Sequence, residues 1–154
     1  MRHTRTESLM MMAEIVSLRG TCSRKKVGVV FAIDGRVLMT GYNGAPAGLP
    51  HCDHQEDSPC ETAVHAEANA IAYAARSGVA LKGSQVYCTA APCLNCAKLL
   101  VNAGISELYW AEPYRNNQGS VLLAQAGIPV HRQARLLEFA EQEGLGVIDG
   151  EAVV

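Results

Sequence analysis

Two short segments limit the folds open to this chain more than anything else in it: His65-Ala66-Glu67 and Pro92-Cys93-Leu94-Asn95-Cys96. Each opens an apolar helical pattern, a strand pattern lies between them, and Gly78 and Gly104 mark where the two helices stop. Cys93 and Cys96 stand at i and i+3, so both thiols lie on one face of a first helical turn. There the helix dipole and the unpaired N–H groups favour thiolate over thiol. One imidazole and two thiolates are the donor set of a catalytic zinc, which keeps three protein ligands and a fourth position for water. The three meet only if two helix starts face each other at one edge of a sheet, where open α/β sheets place their ligands. Glu67, two residues beyond His65, then falls beside the same pocket without being a ligand. A redox pair, or a structural histidine, accounts for each segment alone but not for their combination.

The length of 154 residues fits one domain, residues 1–154, large enough to bury roughly 70% of its unfolded surface. A formal net charge of −2 gives no pull on a long polyanion, although a single phosphate needs only a few local cations. Six cysteines interleaved with histidines point to metal rather than disulfides. The apolar stretch after Met1-Arg2-His3 is cut by Glu7 and Glu14. Neither a secretory signal nor a span of about 20 apolar residues is expected, and the protein reads as cytoplasmic.

Thr4-Arg5-Thr6-Glu7 predicts a capped helix with Leu9, Met12, Ala13 and Val16 on one face, ending near Gly20. Residues 27–33 read as a strand, Asp34-Gly35 as a hairpin turn and 36–40 as the returning strand. Residues 41–61 form a long irregular loop rich in Pro, Gly, His and Cys, which inside a compact domain is usually functional. Helices follow at 63–77, at 92–103 with Pro92 in the first position, at 120–126 and at 133–143. Strands fall at 84–89, 107–111 and 128–131. This order predicts an α/β fold of three layers, α-β-α, around a mixed five-stranded sheet with helices on both faces. The first two strands should be antiparallel, and the third and fourth parallel through a right-handed crossover.

The two segments match the H-x-E…P-C-x-x-C signature of zinc deaminases, whose Glu is the acid/base. Further stretches resemble the deoxycytidylate (dCMP) deaminase family. They are Cys22-Ser23-Arg24-Lys25-Lys26-Val27-Gly28, Gly41-Tyr42-Asn43-Gly44-Ala45-Pro46-Ala47-Gly48, His65-Ala66-Glu67-Ala68-Asn69-Ala70-Ile71, Pro92-Cys93-Leu94-Asn95-Cys96-Ala97-Lys98 and Ala126-Gly127-Ile128. The likeness covers most of residues 8–131. The zinc motif is common to the cytidine deaminase superfamily, and the Gly-Tyr-Asn-Gly segment with the preceding Ser-Arg and Val-Gly narrows it to dCMP. The resemblance implies a cytidine-deaminase-like fold and hydrolysis of dCMP to dUMP and ammonia, which supplies the dTMP precursor. It implies zinc on His65, Cys93 and Cys96, with Glu67 moving protons between water, N3 of the base and the leaving amine. Asn43 would hold the deoxyribose or the base edge, unless Asn43-Gly44 is merely a turn. Ala66 would meet the base carbonyl through its backbone. Arg24, Lys26 and Arg115, with the Tyr114 hydroxyl, are candidates for the phosphate, the alternative being solvated surface charge; Lys25 reads as surface charge. Many members are homo-hexamers activated by dCTP and inhibited by dTTP, and Gly41, Tyr42, Asn43 and Gly44 are associated with that effector site.

Cys22, Cys52, His54 and Cys60 would make a second, structural zinc site of the Cys₃His type, holding the polar loop in place. Some phage and bacterial members of the family carry a second zinc in this region. His51 in place of His54, or free thiols, are the alternatives. Cys88 reads as a small buried apolar residue in a strand. A 5-substituted dCMP or another cytosine or nucleobase substrate is the rival reading. Editing of tRNA fits poorly with a net charge of −2, and a free-nucleoside enzyme has no need of Arg24 and Arg115. A non-catalytic zinc module would most simply have lost Glu67 or a ligand, and none is lost. Residues 144–154 would add a strand or pack at a subunit contact.

Overall fold

The computed structural model describes residues 1–53 and 59–138. The chain runs α1 (Arg5–Ser17), β1 (Gly28–Ile33), β2 (Arg36–Tyr42), α2 (Ala66–Ser77), β3 (Gln85–Ala90), α3 (Leu94–Ala103), β4 (Glu107–Glu112), α4 (Gln118–Gln125) and β5 (Val130–Arg132). The strands form one mixed sheet in the order β2-β1-β3-β4-β5. The pair β1–β2 is antiparallel, as is β1–β3, while β3–β4 and β4–β5 are parallel. The hairpin turn uses Asp34 (φ 50°) and Gly35 (φ 77°), the two left-handed positions that a two-residue connection needs.

Alternation along the strands divides the core into two. Val30, Ala32, Tyr87 and Ala111 face Leu9, Met10 and Ala13 of α1. Val29, Phe31, Val86, Cys88 and Leu108 face Ala70 and Ala74 of α2, Ala97 and Leu100 of α3, and Leu123 of α4. The three-layer α-β-α architecture expected from the sequence is therefore the one observed. Among the described residues no helix is long and apolar enough to cross a membrane.

Both halves of the Thr4–Glu7 capping box are present: the Glu7 N–H donates to Thr4 Oγ1 at 3.1 Å and the Thr4 N–H to Glu7 Oε2 at 2.8 Å. The buried face of α1 is rotated from the expected one. It carries Leu9, Met10, Ala13, Glu14 and Ser17, and leaves Met12 exposed. Gly28 explains the seating, because a Cβ there would lie 2.1 Å from the Ala13 carbonyl oxygen; only a bare backbone lets α1 descend this far onto β1.

Other boundaries move for identifiable reasons. The helix expected from 63 begins at Ala66, because Val64 forms a two-way backbone bridge with Gly44 (3.1 and 2.8 Å). Pro92 precedes the cap of α3 instead of occupying its first turn, since Cys93 takes the N-cap position. The helix expected from 133 is not formed over 133–138. There the Gln133 N–H donates to the Trp110 carbonyl and the Leu136 and Leu137 N–H groups donate to Glu14, so tertiary partners replace a helical ladder. The rest of that expected helix, and residues 144–154, lie outside the described residues.

Candidate active site

Strand directions bring the functional segments to one sheet edge. The residues before β1 and those after β2, β3 and β4 all emerge there, because β2, β3 and β4 run the same way and β1 runs against them. Helices α2 and α3 start at this edge with His65 and Cys93 as their N-caps. His65 Nδ1 lies 3.4 Å from Cys93 Sγ and 3.6 Å from Cys96 Sγ. A tetrahedral zinc, at about 2.0–2.1 Å from nitrogen and about 2.3 Å from sulfur, spaces such atoms about 3.6 Å apart, so the donors fit the ion in type and in distance. The Cys96 N–H points at Cys93 Sγ at 3.4 Å.

The ionisation states follow from these contacts. Cys93 is pulled well below the usual thiol range, first by its hydrogen bond with Cys96 and then by His65 and the Cys96 backbone N–H. Cys96 is pushed up by the same pairing and by burial. His65 is raised chiefly by its hydrogen bond to Cys93. Glu67 is 4% exposed, and burial pushes its carboxyl above the usual carboxylate value. Cys88 is fully buried beneath it, as expected of an apolar residue, and burial with the nearby Glu67 charge holds its thiol neutral.

A cavity of about 250 Å³ opens over Glu67, His65 and Cys93. Five of the residues expected at a substrate line it: Arg24, Asn43, Ala66, Tyr114 and Arg115. Lys26 does not. Its neighbour Lys25, read from the sequence as surface charge, lines the cavity in its place. Val27 and Pro113 add apolar walls. Asn43 is more than a turn residue: its Oδ1 accepts the Val27 N–H at 2.7 Å and its Nδ2 donates to the Lys25 carbonyl at 2.6 Å. Asn43 thereby fixes the basic segment before β1, and keeps one N–H and one lone pair for a ligand. Asn69 Nδ2 donates to the Tyr42 carbonyl at 2.7 Å and ties the end of β2 to α2.

A second cluster adjoins the cavity. The sulfur atoms of Cys22, Cys52 and Cys60 all lie within 4.8 Å of one another, close enough for one ion to bind all three. Backbone N–H groups of Arg24 and Lys25 face the Cys22 sulfur, and the Ala63 N–H donates to Cys60 Sγ at 3.3 Å. The proposed fourth ligand, His54, lies outside the described residues.

A three-layer α/β domain that holds an imidazole, two cysteines and a buried carboxyl at paired helix starts has the architecture of a zinc-dependent deaminase. The sequence model of the cytidine and deoxycytidylate deaminase zinc-binding region matches residues 3–112, and the chain belongs to this family. It is 34% identical to ComE operon protein 2 of Bacillus subtilis, over 92% of this chain and 79% of that protein. It is 30% identical to the deoxycytidylate deaminase of Enterobacteria phage T2, over 86% of this chain and 94% of that one. The fold matches the dCMP deaminase of cyanophage S-TIM5 in complex with dCMP and dUMP, with a TM-score of 0.80 and 33% identity, covering 86% of this chain and 99% of that one.

Proposed function

We propose that this protein deaminates dCMP to dUMP and ammonia by zinc-dependent hydrolysis. The observation that carries the reading is the His65, Cys93 and Cys96 donor set beside buried Glu67, with His65, Cys93 and Glu67 lining the same cavity as Arg24, Lys25 and Arg115. The likeness to deoxycytidylate deaminases, one of them bound to dCMP and dUMP, supports this substrate. His65, Cys93 and Cys96 hold the ion, whose Lewis acidity when bound brings water toward ionisation near neutral pH. Glu67 accepts a proton from the attacking water and delivers it to N3 of the base. It then carries the second water proton to the departing amine. The water oxygen remains on C4, the C4–N bond breaks and ammonia leaves. Burial of Glu67 suits a group that must both take and give a proton, because a raised pKa strengthens the carboxylate as a base for the water proton and brings the group nearer the working pH, where it can still hand that proton on. Asn43 and the Ala66 backbone orient the nucleoside, while Arg24, Arg115 and the Tyr114 hydroxyl face the phosphate.

The same reading places a second zinc on Cys22, Cys52 and Cys60 with His54 as the fourth ligand. It also places a dCTP- and dTTP-responsive site at Gly41, Tyr42, Asn43 and Gly44, where the Arg19 guanidinium stands 6.0 Å over the Tyr42 ring, within a homo-hexamer of the whole 154-residue chain in the cytoplasm. The test is ammonia release by zinc-loaded protein from dCMP, CMP, deoxycytidine, dCTP and 5-methyl-dCMP, each with and without dCTP or dTTP, beside Glu67→Ala. Preference for dCMP over deoxycytidine with an inactive Glu67→Ala supports the proposal. Turnover of nucleosides alone, or of no panel member, refutes it.

A further inference from the structure

Two cations share one carboxylate beside the cavity. Glu112, the last residue of β4, receives Lys25 Nζ on Oε2 at 3.0 Å and Arg135 Nε on Oε1 at 2.7 Å. Lys25 lines the cavity. Arg135 belongs to the chain that leaves β5, and that chain is fastened on both sides of it. The Gln133 N–H donates to the Trp110 carbonyl at 2.9 Å. The Leu136 and Leu137 N–H groups donate to the two oxygens of Glu14 at 2.9 and 2.8 Å, and Glu14 is fully buried in α1. A buried carboxylate spent on two backbone amides makes a strong, directional anchor.

The ion pairs themselves are partly exposed, with side-chain exposures of 45% for Lys25, 40% for Glu112 and 32% for Arg135. Pairs of this kind add little to stability. What they do fix is position. One carboxylate between two cations leaves the group with a net positive charge, and an ammonium has three donors, of which Glu112 takes one. Lys25 is thus held at the cavity with donors to spare for an anion.

We propose that residues 133–137 belong to the substrate-reading apparatus: Arg135 holds Glu112, Glu112 holds Lys25, and Lys25 receives the anionic group of a ligand entering the cavity. Glu112 and Arg135 are positioning residues. The identity of that group as a nucleotide 5′-phosphate rests on the proposed function.

The experiment is calorimetric titration of zinc-loaded full-length protein with dUMP and with deoxyuridine, beside steady-state kinetics on dCMP and deoxycytidine, for the wild type and for Lys25→Met, Arg135→Ala and Arg135→Lys. Lys25→Met should weaken dUMP by about ten- to a hundredfold and leave deoxyuridine unchanged. Arg135→Ala should weaken dUMP by about three- to tenfold, raise the dCMP KM more than it lowers kcat, and leave deoxyuridine alone. Arg135→Lys should recover most of the loss. Equal losses for both ligands, or a wild-type ratio of dUMP to deoxyuridine affinity in Arg135→Ala, overturn the inference. If the wild type binds dUMP without deaminating dCMP, the proposed function falls, and the affinity ratios still decide the role of Arg135. If the wild type does not distinguish dUMP from deoxyuridine, the inference falls, while turnover of either cytosine substrate keeps the deaminase chemistry.

Discussion

Replacing Gly119 with alanine sets two effects of opposite sign against each other. In a helix, Ala is better than Gly by about 1 kcal/mol, so propensity alone predicts a gain. The structure predicts a loss. A Cβ at Gly119 would lie 2.1 Å from the Pro92 oxygen, 2.9 Å from the Pro92 carbon and 3.0 Å from the Cys93 oxygen, where ordinary contact begins at 3.4 Å. All three neighbours are backbone, and Pro92 is fully buried, so no flexible side chain can swing away. Overpacking of this kind costs about 1–3 kcal/mol, which outweighs the propensity gain over most of that range. For a chain of this size each kcal/mol lowers Tm by about 2–4 °C. The segment forced to move carries Cys93, so the metal donors should separate as well, and zinc retention against a chelator should drop by about tenfold or more. The assays are calorimetric melting of the zinc-loaded protein and competition with a chromogenic chelator. Gln118→Ala, at the exposed position next door, is the control and should stay within about 0.5 kcal/mol of the parent. A Gly119→Ala protein that melts at or above the parent temperature and keeps its zinc would refute the close approach of α4 to the Pro92–Cys93 backbone.

Three other perturbations test separate parts of the molecule. Glu67→Gln should lower kcat by about 10²–10⁴ while zinc content, read by atomic absorption, stays at the parent level. Glu14→Gln leaves one acceptor where the Leu136 and Leu137 N–H groups need two, and should cost about 1–3 kcal/mol in urea denaturation. Burial, reinforced by the neighbouring Tyr109, pushes the Tyr87 hydroxyl up to about 12. A folded-state value above the unfolded one means that this stabilisation is complete below pH of about 10 and is lost as pH rises toward 12. Unfolding free energy should therefore fall across that window, with the ultraviolet signal of tyrosinate lagging the exposed tyrosines; a flat profile would count against a buried hydroxyl.

Local chemistry was readable where the cause is local. The Thr4–Glu7 box, the Asp34-Gly35 turn and the i,i+3 cysteines each depend on residues a few positions apart, and each is found where the sequence indicates. The donor set could be read because zinc demands an uncommon combination of residue types. Long-range polar pairing left no such trace. Glu14 pairs with Leu136 and Leu137 across more than a hundred residues, and Glu112 joins Lys25 to Arg135, so no window of sequence contains both partners. The one local hint was a carboxylate at position 14 beside the buried Met10, Ala13 and Ser17 of α1. Lys25 and Lys26 differ only in which way an irregular segment turns them, and Asn43, which sets that turn, acts from the far side of the hairpin. The expected helix at 133 failed over 133–138 because its amides found partners on α1 and β4 instead of on their own turn.

The placement of the metal donors on two successive helix caps also couples the metal to the folded state. Cys93 and Cys96 are near neighbours, and two thiolates can gather an ion while the chain is still open. His65 stands 28 residues before Cys93, with α2 and β3 between them, so it is the folded sheet with its helices that brings the two together. Closing that loop is an entropic step that local affinity does not provide. The third donor is therefore the one that depends on the tertiary fold, and the unfolded chain, left with the Cys93–Cys96 pair, should hold zinc more weakly than the folded domain does. Refolding with and without zinc would then share the rate of sheet assembly and differ in how fast the assembled domain comes apart.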